Sequence, residues 1–441
     1  MHKSFAGFLI LLAVTGLASA QSTAPNAVSG EIAPVTLGSS GQMTNVIRTQ
    51  FSAQGMYDSS SYIANGGGNW VTYLQSNFSF MQDRKRMRWS LEYDPGVVLD
   101  QSGQTGSMLN QNFGTDMTFK VARHTDIRLH DNFRIDSSIL RNAPLDTVSE
   151  FGLLSRPDDS LLAPYSRRTY EQVGLQATQM LSARSEFTVS GNFDEVNFDE
   201  KSGTVGSPQQ QLIDTRAADG EASYSYRLSR RHTIGLMYQH QDYWVQGVDS
   251  GGQSQGFFYT HSVTFAKGMT LSGFIGPQYT RNHNQIFVEI DNGSVVDRHF
   301  VQSQFGGWSV SGGSTLQVQR KRTGLALSAV RRVNDGDGLS GAGHYNDFSG
   351  RVTRQVFRKW TVDVNADYSN SQLLGTASPV SFAAVSGGAS LHRSFRHGLS
   401  AQASYLRIHQ LDLVGQPIFG NLDHNQISLS LNYEFSHGLG R

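Results

Sequence analysis

Gly252-Gln253-Ser254-Gln255-Gly256 spells Gly-x-Ser-x-Gly, the pattern of a nucleophile elbow, where a serine on a sharp strand-to-helix turn attacks an acyl carbon. No helical periodicity follows, and the segment reads as a polar loop between two strands, so acyl chemistry is not expected of it. Gly336, Gly338 and Gly341 spell Gly-x-Gly-x-x-Gly, which holds a pyrophosphate only where a helix N-terminus follows. Here Ala342-Gly343-His344-Tyr345-Asn346 leads instead into a strand-like run. Asn334, Asp335 and Asp337 interleave with glycine and could turn oxygens toward Ca²⁺, but a full ligand set is missing and a solvated turn is the simpler reading. Of the 14 histidines only His130, His240 and His392 fall in strand-like segments, and none forms a ligand cluster. With no cysteine there is no disulfide and no thiolate metal site. The expectation is a protein that is not an enzyme and carries no cofactor. Lys+Arg and Asp+Glu both number 36, a balance that gives no sign of nucleic-acid binding.

A different pattern carries more information. Short basic turns recur at Asp83-Arg84-Lys85-Arg86, Ala122-Arg123-His124-Thr125, Ser182-Ala183-Arg184-Ser185, Ser229-Arg230-Arg231-His232, Ala266-Lys267-Gly268, Gln319-Arg320-Lys321-Arg322, Phe357-Arg358-Lys359-Trp360 and Phe395-Arg396-His397-Gly398. Aromatic residues such as Trp89, Phe357, Trp360 and Phe395 lie beside them, the combination expected where a protein meets lipid phosphates. Between these turns run longer Gly-, Ser-, Asn- and Asp-rich segments, including Ser137 to Ser166, Asn197 to Ala218 and Arg281 to Gly306, read as loops. Tight turns at one end and long loops at the other is the layout of an outer-membrane barrel. Eight hairpins, an opening strand from about Asn45 to Tyr57 and a closing strand from Gln426 to Phe435 predict an all-β, antiparallel, up-and-down transmembrane barrel of about eighteen strands, with sixteen also plausible.

Side chains in a strand alternate between faces. Ala222, Tyr224, Tyr226 and Leu228 oppose Glu221, Ser223, Ser225 and Arg227, and Val362, Val364, Ala366 and Tyr368 oppose Thr361, Asp363, Asn365 and Asp367. One face suits lipid and the other water. The same alternation assigns Arg86, Arg88, Glu92, Asp94, Asp116, Lys120, Arg128, Arg134, Asp136, Asp194, Glu221, Arg227, Asp363, Asp367 and Glu434 to the lumen, where the two signs mix. Asp131 and Arg354 fall on the lipid face, which calls for a bulge, a strand end or a register slip.

In the closing strand Ile427, Leu429, Leu431, Tyr433 and Phe435 share one face and Ser428, Ser430, Asn432 and Glu434 the other. This run resembles the C-terminal signature of bacterial outer-membrane proteins, in which alternating hydrophobics end on an aromatic residue. The resemblance implies recognition by the barrel-assembly machinery. It departs from the signature in that Ser436-His437-Gly438-Leu439-Gly440-Arg441 follows the aromatic. At the other end, His2 and Lys3 precede an apolar run from Phe5 to Val14 and the small residues Ala18-Ser19-Ala20, the form of a cleavable export signal. The expected organisation is a signal peptide over 1–20, a flexible periplasmic segment over 21–43 and an outer-membrane barrel over 44–441. A barrel this wide leaves an aqueous lumen unless something occludes it. The expected function is passage of hydrophilic solutes or export of a polymer such as a polysaccharide; the alternative is a sealed barrel displaying long loops as an adhesin or assembly platform. A membrane hydrolase would need a Ser–His pair on the outer surface, which the sequence does not offer.

Overall fold

Alternating polar and apolar residues, with few helix-favouring stretches, fold as strands throughout the described residues. The computed structural model describes residues 45–59, 69–100, 108–137, 167–198, 214–246, 250–266, 268–291, 296–334, 343–373, 381–414 and 423–438. The strands are β1 (Asn45–Asp58), β2 (Asn69–Arg84), β3 (Met87–Asp100), β4 (Met108–Ala122), β5 (Thr125–Ser137), β6 (Arg167–Met180), β7 (Ser185–Phe198), β8 (Thr215–Arg227) and β9 (His232–Val245). The second half comprises β10 (Ser250–Ala266), β11 (Met269–Asp291), β12 (Val296–Gln319), β13 (Thr323–Asn334), β14 (Gly343–Phe357), β15 (Trp360–Leu373), β16 (Ser381–Ser394), β17 (Leu399–Val414) and β18 (Asp423–Gly438). Each pairs antiparallel with its chain neighbours, and β1 pairs with β18 from Val46↔Gly438 to Asp58↔Gln426, closing an 18-stranded barrel. Closure gives every strand a partner on both sides, the condition for crossing a bilayer as sheet, and only the far end of the β11–β12 hairpin runs on beyond its neighbours.

All eight basic turns join consecutive strands at one rim. Lys85-Arg86 and Arg358-Lys359 are two-residue turns. Ser182 Oγ accepts from the amides of Arg184 and Ser185 at 3.1 and 3.0 Å, and Ser229 Oγ from those of Arg231 and His232 at 3.1 Å each. These are serine turns, in which the side chain replaces a backbone acceptor. At the last hairpin His397 and Gly398 take φ of 58° and 75°, the left-handed region that lets so short a connection reverse.

The outward face is apolar. In β18 Ile427, Leu429, Leu431, Tyr433 and Phe435 are all exposed, while Gln426 and Ser428 on the opposite face are buried. Aromatic pairs mark the belt: Tyr57 with Trp70, Tyr279 with Trp308 and Tyr238 with Phe257, ring centroids 5.3, 5.2 and 4.7 Å apart. In water such a surface would be a liability, whereas in hydrocarbon it is the stable arrangement.

Three sequence expectations are corrected. Arg281 to Gly306 is not a loop but the upper part of a hairpin in which β11 and β12 stay paired from Met269↔Val318 to Asp291↔Val296. Its Asn and Gly residues masked a continuous strand pattern. Likewise Gly252 to Gly256 lies inside β10, paired with both β9 and β11, and β8 begins at Thr215, within the segment read as a loop up to Ala218. The outward residues Asp131 and Arg354 are no register errors. Arg354 sits three residues before the turn at Phe357, a strand end, whereas Asp131 lies six residues into β5, opposite Thr115 and Val173, with no bulge beside it. Residues 1–43, the span 138–166, the glycines at 336, 338 and 341, and Asp335 and Asp337 lie outside the described residues.

Candidate functional site: the inner face of the barrel

The inward positions are fixed by the register that buries Val71, Val98, Asn110, Gln172, Asp194 and Asp219. By that parity Arg88 and Glu92 of β3, Asp116 and Lys120 of β4, Arg128 and Arg134 of β5, Glu221 and Arg227 of β8, Asp363 and Asp367 of β15, and Glu434 of β18 point inward. Asp94 and Asp194 join them; Arg86 is in the turn itself, at the rim rather than on the wall. Asp136 lies on a described strand whose side chain is not described.

Several of these charges are paired across strands. Arg88 bridges Asp83 at 3.2 Å, Arg128 bridges Asp116 at 2.5 Å, and Arg351 Nε lies 3.0 and 2.9 Å from the two carboxylate oxygens of Asp363. Thr353 also donates to Asp363. Asn77 and Asn112 donate to Asp94 at 2.5 and 2.9 Å, and Asn192 donates to Asp219 at 3.0 Å. Buried carboxylates are tolerable only when hydrogen-bonded in this way. His130, placed within a strand by the sequence, lays its ring over Gly174, where a Cβ would collide with the imidazole and with Asn192.

Accessibility along the wall is graded. In β18 Gln426 and Ser428 are buried, Ser430 and Asn432 half-buried, Glu434 and Ser436 exposed; in β3 Val98 and Asp94 are buried, whereas Glu92 and Arg88 are exposed. In β7 Asn192, Asp194 and Val196 are buried, but Glu186, Thr188 and Ser190 are not. In these three strands residues toward the short-turn rim reach solvent from inside and those toward the opposite rim are packed away, whereas Val46, Thr315, Ala326 and Thr353 of β1 and β12–β14 are buried near the short-turn rim as well.

Part of that packing is a polar cluster spanning β9 to β13. Tyr243 donates to Asn282, crossing Gly252 between them. Gln278 donates to Ser254 at 2.6 Å, and accepts from Ser311 and, at 3.3 Å, from the Val333 amide. β13 stops pairing with β12 at Arg331↔Gly312, so this last bond carries the tip of β13 over the inner side of β12 to β11. Val333 packs there on Ala217 and Tyr243, and the Arg332 guanidinium lies 5.7 Å from the Tyr345 ring centroid. Asn282 and Ser311 beneath are 1% exposed. Opposite, Met56, Val71 and Val98 form an apolar cluster with Tyr73 and Met108.

No protein-family model matches the chain, and no curated protein matches it. Among solved structures, OccK2 (OpdF) of Pseudomonas aeruginosa is similar at 10% identity and a TM-score of 0.43, covering 88% of this chain and 98% of that one. The ferric citrate transporter FecA in its unliganded form is similar at 10% identity and a TM-score of 0.47, over 89% of this chain and 66% of that one. Acinetobacter baumannii OccAB4 is similar at 11% identity and a TM-score of 0.40, over 89% and 98%. Similarities this weak carry nothing about solute or direction.

Sequence reasoning missed Arg351, although the alternation that puts Val352 and Arg354 outward already puts Arg351 and Thr353 inward. It also missed the β9–β13 cluster, since Ser254, Gln278, Ser311 and Val333 are brought together only by inter-strand register. Gly252 and Ser254, read from the sequence as part of a polar loop, belong to that cluster.

Proposed function

We propose that this protein is an outer-membrane channel for passive movement of small hydrophilic solutes. The observation that carries the reading is the inner face itself: charged side chains such as Arg88, Glu92 and Glu434 are exposed although they point into a closed barrel. A buried charge there needs hydrogen-bond partners, whereas an exposed one is accommodated by water. The accessible end at the basic-turn rim is a vestibule, and the cluster of Tyr243, Gln278, Asn282 and the β13 tip narrows the path at the other end. Acidic side chains on the inner face outnumber basic ones, and the arginine partners of Asp83, Asp116 and Asp363 favour weak rather than steep cation preference.

The sealed-barrel reading draws on a separate feature, the long β11–β12 hairpin, which could serve as a display element. Planar-bilayer recording separates the two. The channel reading expects steady conductance with a small cation-directed reversal potential under a salt gradient. Protein verified as folded yet silent at every voltage would overturn it in favour of display.

A further inference from the structure

Arg354 and Arg393 are both outward-facing, both exposed, and both near the short-turn rim. They sit on β14 and β16 with β15 between them: Arg354 pairs with Val362, which pairs with Leu391, and Arg393 lies two residues further toward the rim. Two strand spacings and two residue rises put their Cα atoms roughly 12 Å apart. Among the described residues neither forms an ion pair. Arg393 is held from both sides, its guanidinium 4.8 Å from the Trp360 ring centroid and 4.7 Å from that of Phe395. Stacked this way, the cation keeps its N–H edge available.

The surroundings are basic as well. Arg322 of the β12–β13 turn precedes Thr323, the partner of Arg354, and Arg358, Lys359 and Arg396 occupy the two following turns. The acidic Asp363 of this sector faces inward and is already paired with Arg351. An outward arginine in hydrocarbon is costly, but at the interface it can reach headgroups.

We propose that the outward face of β14–β16 at the short-turn rim binds anionic phospholipid, with Arg354 and Arg393 engaging headgroup phosphates and Trp360 and Phe395 fixing Arg393 at headgroup depth. The occupant is chosen by charge and by depth: phosphodiesters lie at this level of the membrane, and planar guanidinium groups match their paired oxygens. This does not depend on whether the barrel conducts.

The test is native mass spectrometry of the purified full chain, incubated with phosphatidylglycerol or phosphatidylcholine. Phosphatidylglycerol should be retained and phosphatidylcholine should not. Arg354→Gln combined with Arg393→Gln should weaken retention about thirtyfold. Arg123→Gln combined with Arg184→Gln removes equal charge from turns elsewhere on the rim and should leave retention unchanged. Folding is checked by the mobility of the unheated barrel in SDS; if the double variant does not fold, Arg393→Gln alone decides on the same readout. Equal retention of both lipids, or equal loss in the two double variants, overturns the proposal. So does displacement of the lipid by millimolar inorganic phosphate, which would mark a simple anion site.

Discussion

The Tyr243 hydroxyl reaches Asn282 by crossing the backbone of β10 at Gly252, where no side chain stands in the way. Two strands are thereby tied through a third, and the tie lies on the inner face at the narrow end. Gly252→Val would drive a branched side chain into both partners. A destabilisation of about 1–3 kcal/mol is expected from such overpacking, read by denaturant titration of the folded barrel. The same variant should alter single-channel conductance, whereas Gly55→Val, with open space around its Cβ position, should change neither.

Charge selectivity should hinge on partners rather than on individual acids. Asp363 lies within hydrogen-bond distance of Arg351 and Thr353, so Asp363→Asn releases a cation into the lumen and should shift the reversal potential toward anions. Adding Arg351→Gln to that variant should restore most of the original value. If the double variant stays as anion-shifted as the single, the pair does not set the local potential.

Asp131 faces outward six residues into β5, flanked by Leu129 and Phe133. Replacing it with leucine removes a carboxylate from the hydrocarbon layer and should stabilise the barrel by about 1–2 kcal/mol, less than the figure for a basic residue at the same depth. Equilibrium unfolding in lipid vesicles measures this directly, and a loss of stability would mean that Asp131 has a partner there.

For the closing strand, Tyr433→Ser combined with Phe435→Ser should sharply lower outer-membrane abundance, as the resemblance to the assembly signature implies. β18 does not end at Phe435: Ser436, His437 and Gly438 pair with Arg48, Ile47 and Val46. Deleting residues 439–441 should therefore be harmless, whereas deleting 436–441 should loosen the β1 seam and lower the yield of folded protein.

The sequence announced the fold through features that repeat. Eight basic turns and a period-two alternation were enough to count the strands. It failed where polar residues continue a strand: β11 and β12 beyond Arg281 and Gly306, and β10 at Gly252 to Gly256, look like loops because their neighbours are small or amidic. It also hid what depends on register. Ser254, Gln278 and Ser311 are separated by 24 and 33 positions, and only inter-strand pairing makes them neighbours. Arg351 was legible, since its position relative to Arg354 is fixed by alternation alone.

The seam between β1 and β18 has a consequence for the life history of the chain. Every other strand can pair with a strand made just before it, but β1 needs a partner that is synthesised last, so the sheet must exist for a time as an open ribbon with two bare margins. Such margins invite pairing with other chains, and the seam bridges nearly the whole length of the polypeptide, the slowest kind of contact to find by diffusion. Timing, more than affinity, is then the problem at this seam: the first strand must be kept waiting and unspent until the last one arrives.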